Sequence, residues 1–240
     1  MDNNVLVFPI LTLVTFAPTI GALFLLLFKK DMHTQIKRTA FAVSLVTFFI
    51  ALIVLVNFDS SESHPQFVDQ ASWISSWDIQ YLLGVDGVSI WLLMLTAVIS
   101  PIAIVSSFSA IQERVKLYYI LLLLLQTAMT GVFLALDLFL FYVFWEFSLV
   151  PMYFLIGIWG GPRRVYAAVK FFLYTMAGSI PMLLAIIYLG LEGGTFSWPA
   201  LVAENGKWVG TSVELVLFLG FAAAFAVKVP IWPLHSWLPD

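Results

Sequence analysis

Residues 137–160 read DLFLFYVFWEFSLVPMYFLIGIWG. Between Asp137 and Gly160 the only charged side chain is Glu146, and the apolar run is as long as the roughly 20 residues a helix needs to cross the hydrocarbon core of a bilayer. The stretch therefore reads as a transmembrane helix over 138–159 that holds an acid within its length. After Trp159, Gly160-Gly161-Pro162 releases the helix and forbids its immediate resumption.

The rest of the chain has the same character. Over its 240 residues, 62% are hydrophobic and 10% charged, with a mean hydropathy of +1.00, against about 25% charged in an ordinary soluble domain. Such a chain cannot cover a core against water, so lipid must solvate its outside. Apolar runs at 5–28, 39–56, 87–108, 117–136, 138–159, 167–190 and 213–229 predict about seven spans in a single all-α membrane domain, a polytopic helical bundle over 1–240. The first run follows MDNN and precedes Lys29-Lys30, the reverse of a signal peptide's basic flank, so it is read as a retained helix.

Nine basic residues fall in alternate loops: Lys29, Lys30, Lys37 and Arg38, then Arg114 and Lys116, then Arg163, Arg164 and Lys170. By the positive-inside rule these loops face the cytoplasm or its equivalent, and the N-terminus faces the periplasmic or outer side. The opposite loops carry Asp59, Glu62, Asp69, Asp78, Glu192 and Glu204, with Lys207 as their one basic residue. That leaves Lys228, which no loop claims. Trp198 and Trp208 suit the outer headgroup belt. In the outer loop 57–86, the alternation of Ile79, Tyr81 and Leu83 beside Trp73 and Trp77 suggests an extended or hairpin segment on the membrane face.

Several chemistries are excluded. The chain has no cysteine and only His33, His64 and His235, so it holds no thiolate-bound cluster and no bis-histidine haem, and electrons do not pass through it. No phosphate loop, dinucleotide fingerprint or basic-aromatic patch occurs, which removes nucleotide and nucleic-acid binding.

The ionisable groups inside spans carry the functional reading. A charge at mid-membrane costs about 2.5–3.5 kcal/mol on insertion scales and by default marks a pathway; for Glu146 the competing account is a neutral, hydrogen-bonded acid that joins helices. Pro151 cannot donate to the Phe147 carbonyl, so a kink and a free carbonyl are expected one residue after Glu146. Lys228 ends the run LVLFLGFAAAFAV and precedes Pro230 and Pro233. A helix broken by two prolines offers its negative pole to an ammonium and points to a transport site; a snorkelling lysine at the membrane boundary is the alternative. Burial drives both groups toward neutrality whereas proximity favours both charges, so a change in their separation switches proton affinity. His235 could relay protons near this break, or be an ordinary core histidine. Asp86 in GVDG reads equally as a helix cap, Asp137 as a solvated turn residue, and Ser179 and Tyr174 as lesser members of a polar chain.

The stretches LGVDGVS (83–89), FYVFWEFSLVPMYFLIGIWGG (141–161) and FAVKVPIWPLHSWLPD (225–240) together resemble the antiporter-like membrane subunits of proton-pumping NADH–quinone oxidoreductase, respiratory complex I, and among these the M type. The resemblance implies an antiporter-like fold with inverted repeats and a discontinuous seventh helix, a channel pair at Glu146 and Lys228, and a polar-axis position at His235, with Pro151, Pro230, Pro233 and Asp86 in support. It also implies that this chain holds no cofactor, while NADH, FMN, iron–sulfur clusters and quinone belong to partner subunits. L- and N-type membrane subunits would be neighbours, in an energy-conserving membrane such as the bacterial plasma membrane. The chain stops at Asp240 inside the last motif, so only an incomplete first repeat is expected, as in an N-terminal fragment. A subunit of a multisubunit sodium–proton antiporter is the alternative function, and a scaffold with buried charges the third.

Overall fold

The computed structural model describes residues 8–203, 208 and 210–239; the first residues of the earliest apolar run, Glu204, Lys207 and Asp240 lie outside the described residues. The described helices are α1 (Ile10–Leu25), α2 (His33–Val56), α3 (Ser89–Ala110), α4 (Val115–Leu134), α5 (Leu138–Phe147), α6 (Leu149–Trp159), α7 (Arg164–Gly193), α8 (Trp198–Ala203) and α9 (Ser212–Lys228). A hairpin of β1 (Gln66–Ile74) and β2 (Ile79–Val85) stands between α2 and α3, within the segment whose alternation suggested extended structure.

Among the described residues five segments are long and apolar enough to cross a bilayer: α2, α3, α4, α7, and α5 with α6 as one 22-residue run. Their solvent-facing positions are apolar, among them Val56, Trp91, Ile102 and Leu173, as lipid contact requires. Two of the seven expected spans are shorter. The described part of α1 has 16 residues and α9 has 17, and 17 residues at 1.5 Å give only about 26 Å of helix against a core of about 30 Å. For α9 the cause is local, since Val229-Pro230 follows Lys228 directly and ends the ladder.

The chain divides into two compact units. One holds α1 to α4 and the hairpin residues up to Gln70 and from Leu82. Its core gathers Ala22, Leu25, Ile36, Ala40, Ile104, Val115, Tyr119 and Leu123. A Cβ on Gly21 would lie 2.4 Å from Val43 Cγ1, so only glycine permits this approach of α1 to α2. Polar pairs cross between the helices: Ser44 Oγ donates to Gln126 Oε1 at 3.1 Å, and the Thr19 and Thr127 hydroxyls share a bond of 2.8 Å. The basic loops are built into the helix ends. Lys37 Nζ donates to the Phe108 carbonyl near the end of α3 (2.6 Å), and Lys116 Nζ to the Leu26 and Phe28 carbonyls after α1 (2.7 and 2.8 Å), each cation sitting where the helix leaves carbonyls unpaired.

The other unit holds Ala71–Tyr81 and the chain from Leu136 onward. Helix α7 is its spine, packed by α5, α6 and α9. The α7–α9 contact depends on Gly178, whose Cβ would meet Val227 at 2.7 Å, and Gly220, whose Cβ would meet the Pro181 carbonyl oxygen at 2.8 Å. Below them lie Met182, Ile186, Leu189, Phe196, Leu201 and Ala224. Asp137 corrects the sequence reading. It is fully buried rather than solvated: Oδ1 accepts from Phe139 N (2.9 Å) and Leu140 N (3.0 Å), capping α5, and Oδ2 accepts from Gln80 N (3.0 Å) in the hairpin tip. Burial pushes its carboxyl above the ordinary value of 3.8, against the pull of those three N–H groups.

Candidate functional site

Helices α5 and α6 form one apolar run interrupted at Ser148. The interruption follows from Pro151, which has no N–H to offer the Phe147 carbonyl. By restarting the helix at Leu149, the chain places Pro151 in the first turn of α6, where a missing donor costs little. Ser148 turns its hydroxyl back to the Trp145 carbonyl at 2.7 Å.

Glu146 stands in the last turn of α5, directly before this break. Its Oε1 is buried and has no hydrogen-bond partner among the described residues. One turn earlier on the same face, the Tyr142 hydroxyl lies within hydrogen-bonding reach of the Glu146 carboxylate and of Ser179 on α7. Ser179 is buried and also donates to the Met176 carbonyl at 3.0 Å. The carboxylate borders an open cavity of about 430 Å³ walled by Phe139, Tyr142, Val143, Phe147, Val150 and Leu183.

Lys228 is the last residue of α9. Its ammonium donates to Ser148 Oγ at 3.0 Å and lies 5.0 Å from the centre of the Trp145 ring. It also feels the charge of Glu146, yet no ion pair within 4.0 Å joins the two among the described residues. The two charges therefore meet at one helix break through Trp145, which precedes Glu146 in the last turn of α5, and Ser148, which occupies the break, and not by direct contact. The end of α9 is closed by Val229 N donating to Phe225 O and Ile231 N to Ala226 O, both 2.8 Å. Trp237 Nε1 takes the Val227 carbonyl at 2.9 Å.

Pro230 and Pro233 lie in the turns that follow α9. These turns fold back on α7: the Trp237 ring stands 5.2 Å from that of Phe171, and Lys170 Nζ donates to the Ser236 carbonyl. His235 sits in this returning segment with Nδ1 buried and unpartnered, and no hydrogen bond links it to Lys228 among the described residues. Asp86 belongs to the α1–α4 unit. Its Oδ1 accepts from Val88 N (2.9 Å) and Ser89 N (2.7 Å) while its own N–H donates to Ser89 Oγ (2.9 Å), a reciprocal cap at the start of α3. Burial raises its carboxyl, but these hydrogen bonds outweigh it and hold the group below its ordinary value.

Three members of the cluster were not legible in the sequence: Ser148, Trp145 and Tyr142. Tyr142 carried a signal, since it precedes Glu146 by one helical turn. Ser148 lies 80 residues from the lysine it binds, and no local pattern joins them. No hydrogen bond joins Tyr174 to the cluster among the described residues. Among the described residues no group of three or more His, Asp and Glu side chains is arranged to hold a metal.

Comparison with known proteins shows what the chain resembles. Residues 135–240 match the family model described as NADH:quinone oxidoreductase/Mrp antiporter, TM. The chain is 42% identical over 96% of its length to NADH-quinone oxidoreductase subunit M of Rhodobacter capsulatus, of which it covers 47%. It superposes with a TM-score of 0.83 and 28% identity on a chain of respiratory complex I from Thermus thermophilus, over 95% of this chain and 46% of that one. A chain of the Mrp complex from Dietzia gives a TM-score of 0.79 at 22% identity, over 96% of this chain and 24% of that one, a likeness of fold. The resemblance to M-type subunits and the antiporter-like fold are thus shown, and this chain spans about half the length of the curated relatives it matches.

Proposed function

We propose that a chain resembling the M subunits of NADH–quinone oxidoreductase over nearly its whole length acts as their proton-translocating part. It would couple electron transfer from NADH to quinone, carried out by partner subunits, to proton movement through Glu146 and Lys228. The observation that carries this reading is the buried, unpartnered Oε1 of Glu146 at a helix break it shares with the Lys228 ammonium.

The chemistry follows from that arrangement. A carboxyl oxygen without a partner is costly in a dry interior, and the same oxygen is a ready acceptor for an arriving proton or water. The Ser148 hydroxyl accepts from Lys228 and donates to a carbonyl, and by rotating it can pass a proton on. Protonation of Glu146 removes the negative charge that favours the ammonium, so the lysine is driven to release its proton; ionisation of Glu146 draws one back. In this reading His235, whose Nδ1 is buried without a partner among the described residues, receives protons beyond the break. Pro151, Pro230 and Pro233 hold the two helix ends open, and Asp86 anchors α3.

L- and N-type membrane subunits are the partners this reading expects, with NADH, FMN, iron–sulfur clusters and quinone held elsewhere in the assembly. The membrane would be energy-conserving, the basic loops on its cytoplasmic face. The alternative, a subunit of a sodium–proton antiporter, rests on the Mrp half of the family description; the oxidoreductase reading is favoured because the oxidoreductase relatives are 36–42% identical and the Mrp chain 22%.

The test is Glu146→Gln in the assembled complex, in inverted membrane vesicles. NADH-driven proton uptake is expected to fall to a small fraction of the wild-type rate while NADH oxidation by an artificial acceptor persists. Unimpaired uptake refutes the role of Glu146, and sodium-dependent proton exchange without NADH favours the alternative.

A further inference from the structure

Within the α1–α4 unit, at the end where the basic loops lie, a cavity of about 630 Å³ opens between the ends of α1, α2 and α4. Its wall carries Lys30, His33, Arg114 and Lys116 beside the apolar Leu26, Leu117 and Ile120, and among the described residues no carboxylate lines it. Lys116 Nζ is held in place by the Leu26 and Phe28 carbonyls, which leaves the third of its N–H groups for another acceptor. Helix α2 starts at His33 and α4 at Val115, and neither start has a side-chain cap. Two positive helix poles therefore add to the held Lys116 and the exposed Lys30 and Arg114, while the carbonyl end of α1 is already met by Lys116.

From this we infer that the cavity binds the phosphate of an anionic phospholipid headgroup, with the acyl chains running along Leu26, Leu117 and Ile120. The cations and helix starts select a phosphate. The missing carboxylate gives an ammonium-bearing headgroup no partner, so a net negative lipid is preferred to a zwitterionic one. The apolar wall selects a lipid over free phosphate, because it would stay unfilled beneath a soluble anion. Its place at the junction of span and basic loop is where a headgroup lies, and basic pockets between membrane helices on that face suit such headgroups.

The experiment uses the assembled protein in nanodiscs of phosphatidylcholine doped with phosphatidylglycerol, with bound lipid counted by native mass spectrometry. In Lys30→Gln/Arg114→Gln both altered side chains are exposed, and an unchanged thermal midpoint verifies the fold. Lys29→Gln/Arg38→Gln removes equal charge from neighbouring positions outside the cavity. The cavity variant is expected to retain phosphatidylglycerol about thirtyfold more weakly, and the control to match wild type. Equal losses in both, or none in either, overturn the site. Displacement of the lipid by millimolar inorganic phosphate would show that a soluble anion suffices and overturn the acyl half. A photo-crosslinker at Leu117 that captures a neighbouring subunit instead of lipid overturns the occupant.

Discussion

Replacing Ser148 by alanine removes one oxygen and leaves the helix break intact, because Pro151 makes the break and Ser148 occupies it. Ser148 is 8% exposed, and its hydroxyl accepts from the Lys228 ammonium at 3.0 Å. A hydrogen bond to a charged group contributes about 1.5–3 kcal/mol, whereas interhelical bonds measured by double-mutant cycles in a membrane protein average about 0.6 and reach about 1.7 kcal/mol. The two ranges overlap near 1.5 kcal/mol, which is the coupling expected between Ser148→Ala and Lys228→Met. The lysine does not swing away in the variant, since the Trp145 face still attracts it by about 0.5–2 kcal/mol and Glu146 acts at longer range. The four proteins of the cycle are compared by unfolding in mixed micelles, and NADH-driven proton uptake is followed in vesicles. Uptake is expected to fall by about tenfold, the equivalent of about 1.4 kcal/mol, with oxidation by an artificial acceptor unchanged, and Ser148→Thr restores it by returning a hydroxyl. A coupling below about 0.3 kcal/mol is indistinguishable from additivity and would refute the contact; wild-type uptake in Ser148→Ala would refute its part in transfer.

Three further outcomes follow from the geometry. Gly220→Ala places a Cβ 2.8 Å from the Pro181 carbonyl oxygen, a backbone atom that cannot rotate away, so α7 and α9 separate at about 1–3 kcal/mol; Gly161→Ala, with nothing within 4 Å, leaves the thermal midpoint unchanged. Asp137→Ala strands the N–H groups of Gln80, Phe139 and Leu140 and costs about 3 kcal/mol in the same unfolding assay, since a lost cap and a buried unpaired donor each cost about 1–2; Asp137→Asn recovers part of it, and equality of the two variants counts against the bonding. Asp86 is held below its ordinary 3.8, so its cap is complete above about pH 4 and is lost as the pH falls through and below that value: the stability gap between wild type and Asp86→Ala should close on acidification, and a gap of equal size at about pH 3 and pH 6 contradicts the assignment.

What could be read from the sequence was set by how local its causes are. A bilayer demands unbroken apolar length, so the all-α membrane fold was visible in composition, and the interruption after Glu146 followed from the missing N–H of Pro151. The shortness of α9 was half visible, in the prolines beyond Lys228. Ser148 and Trp145 as the seat of the ammonium were not visible, because the contact spans 80 residues and depends on the α7–α9 approach that Gly178 and Gly220 permit. Asp137 was misread for a related reason. A carboxylate at a turn between apolar helices is cheaper in water than in protein, unless distant donors arrive, and here Gln80 of the hairpin supplies one.

The same distance effect bears on why the charges stand apart. Had Glu146 and Lys228 formed a direct ion pair, each would have satisfied the other, and in a poorly solvated site their attraction at about 4 Å, roughly 4 kcal/mol at an effective dielectric near 20, would oppose every proton transfer. With Ser148 taking the ammonium, the attraction persists more weakly and one carboxyl oxygen stays open. A group whose only task was to join helices would gain by closing that oxygen, since an unmet acceptor costs about 1–3 kcal/mol. Instead the Tyr142 hydroxyl stands within reach of Glu146 and Ser179, while across the helix break Ser148 holds the Lys228 ammonium, which feels the Glu146 charge. On the proposed reading the open oxygen is where a proton or water arrives, and a role confined to joining helices leaves that oxygen without an account.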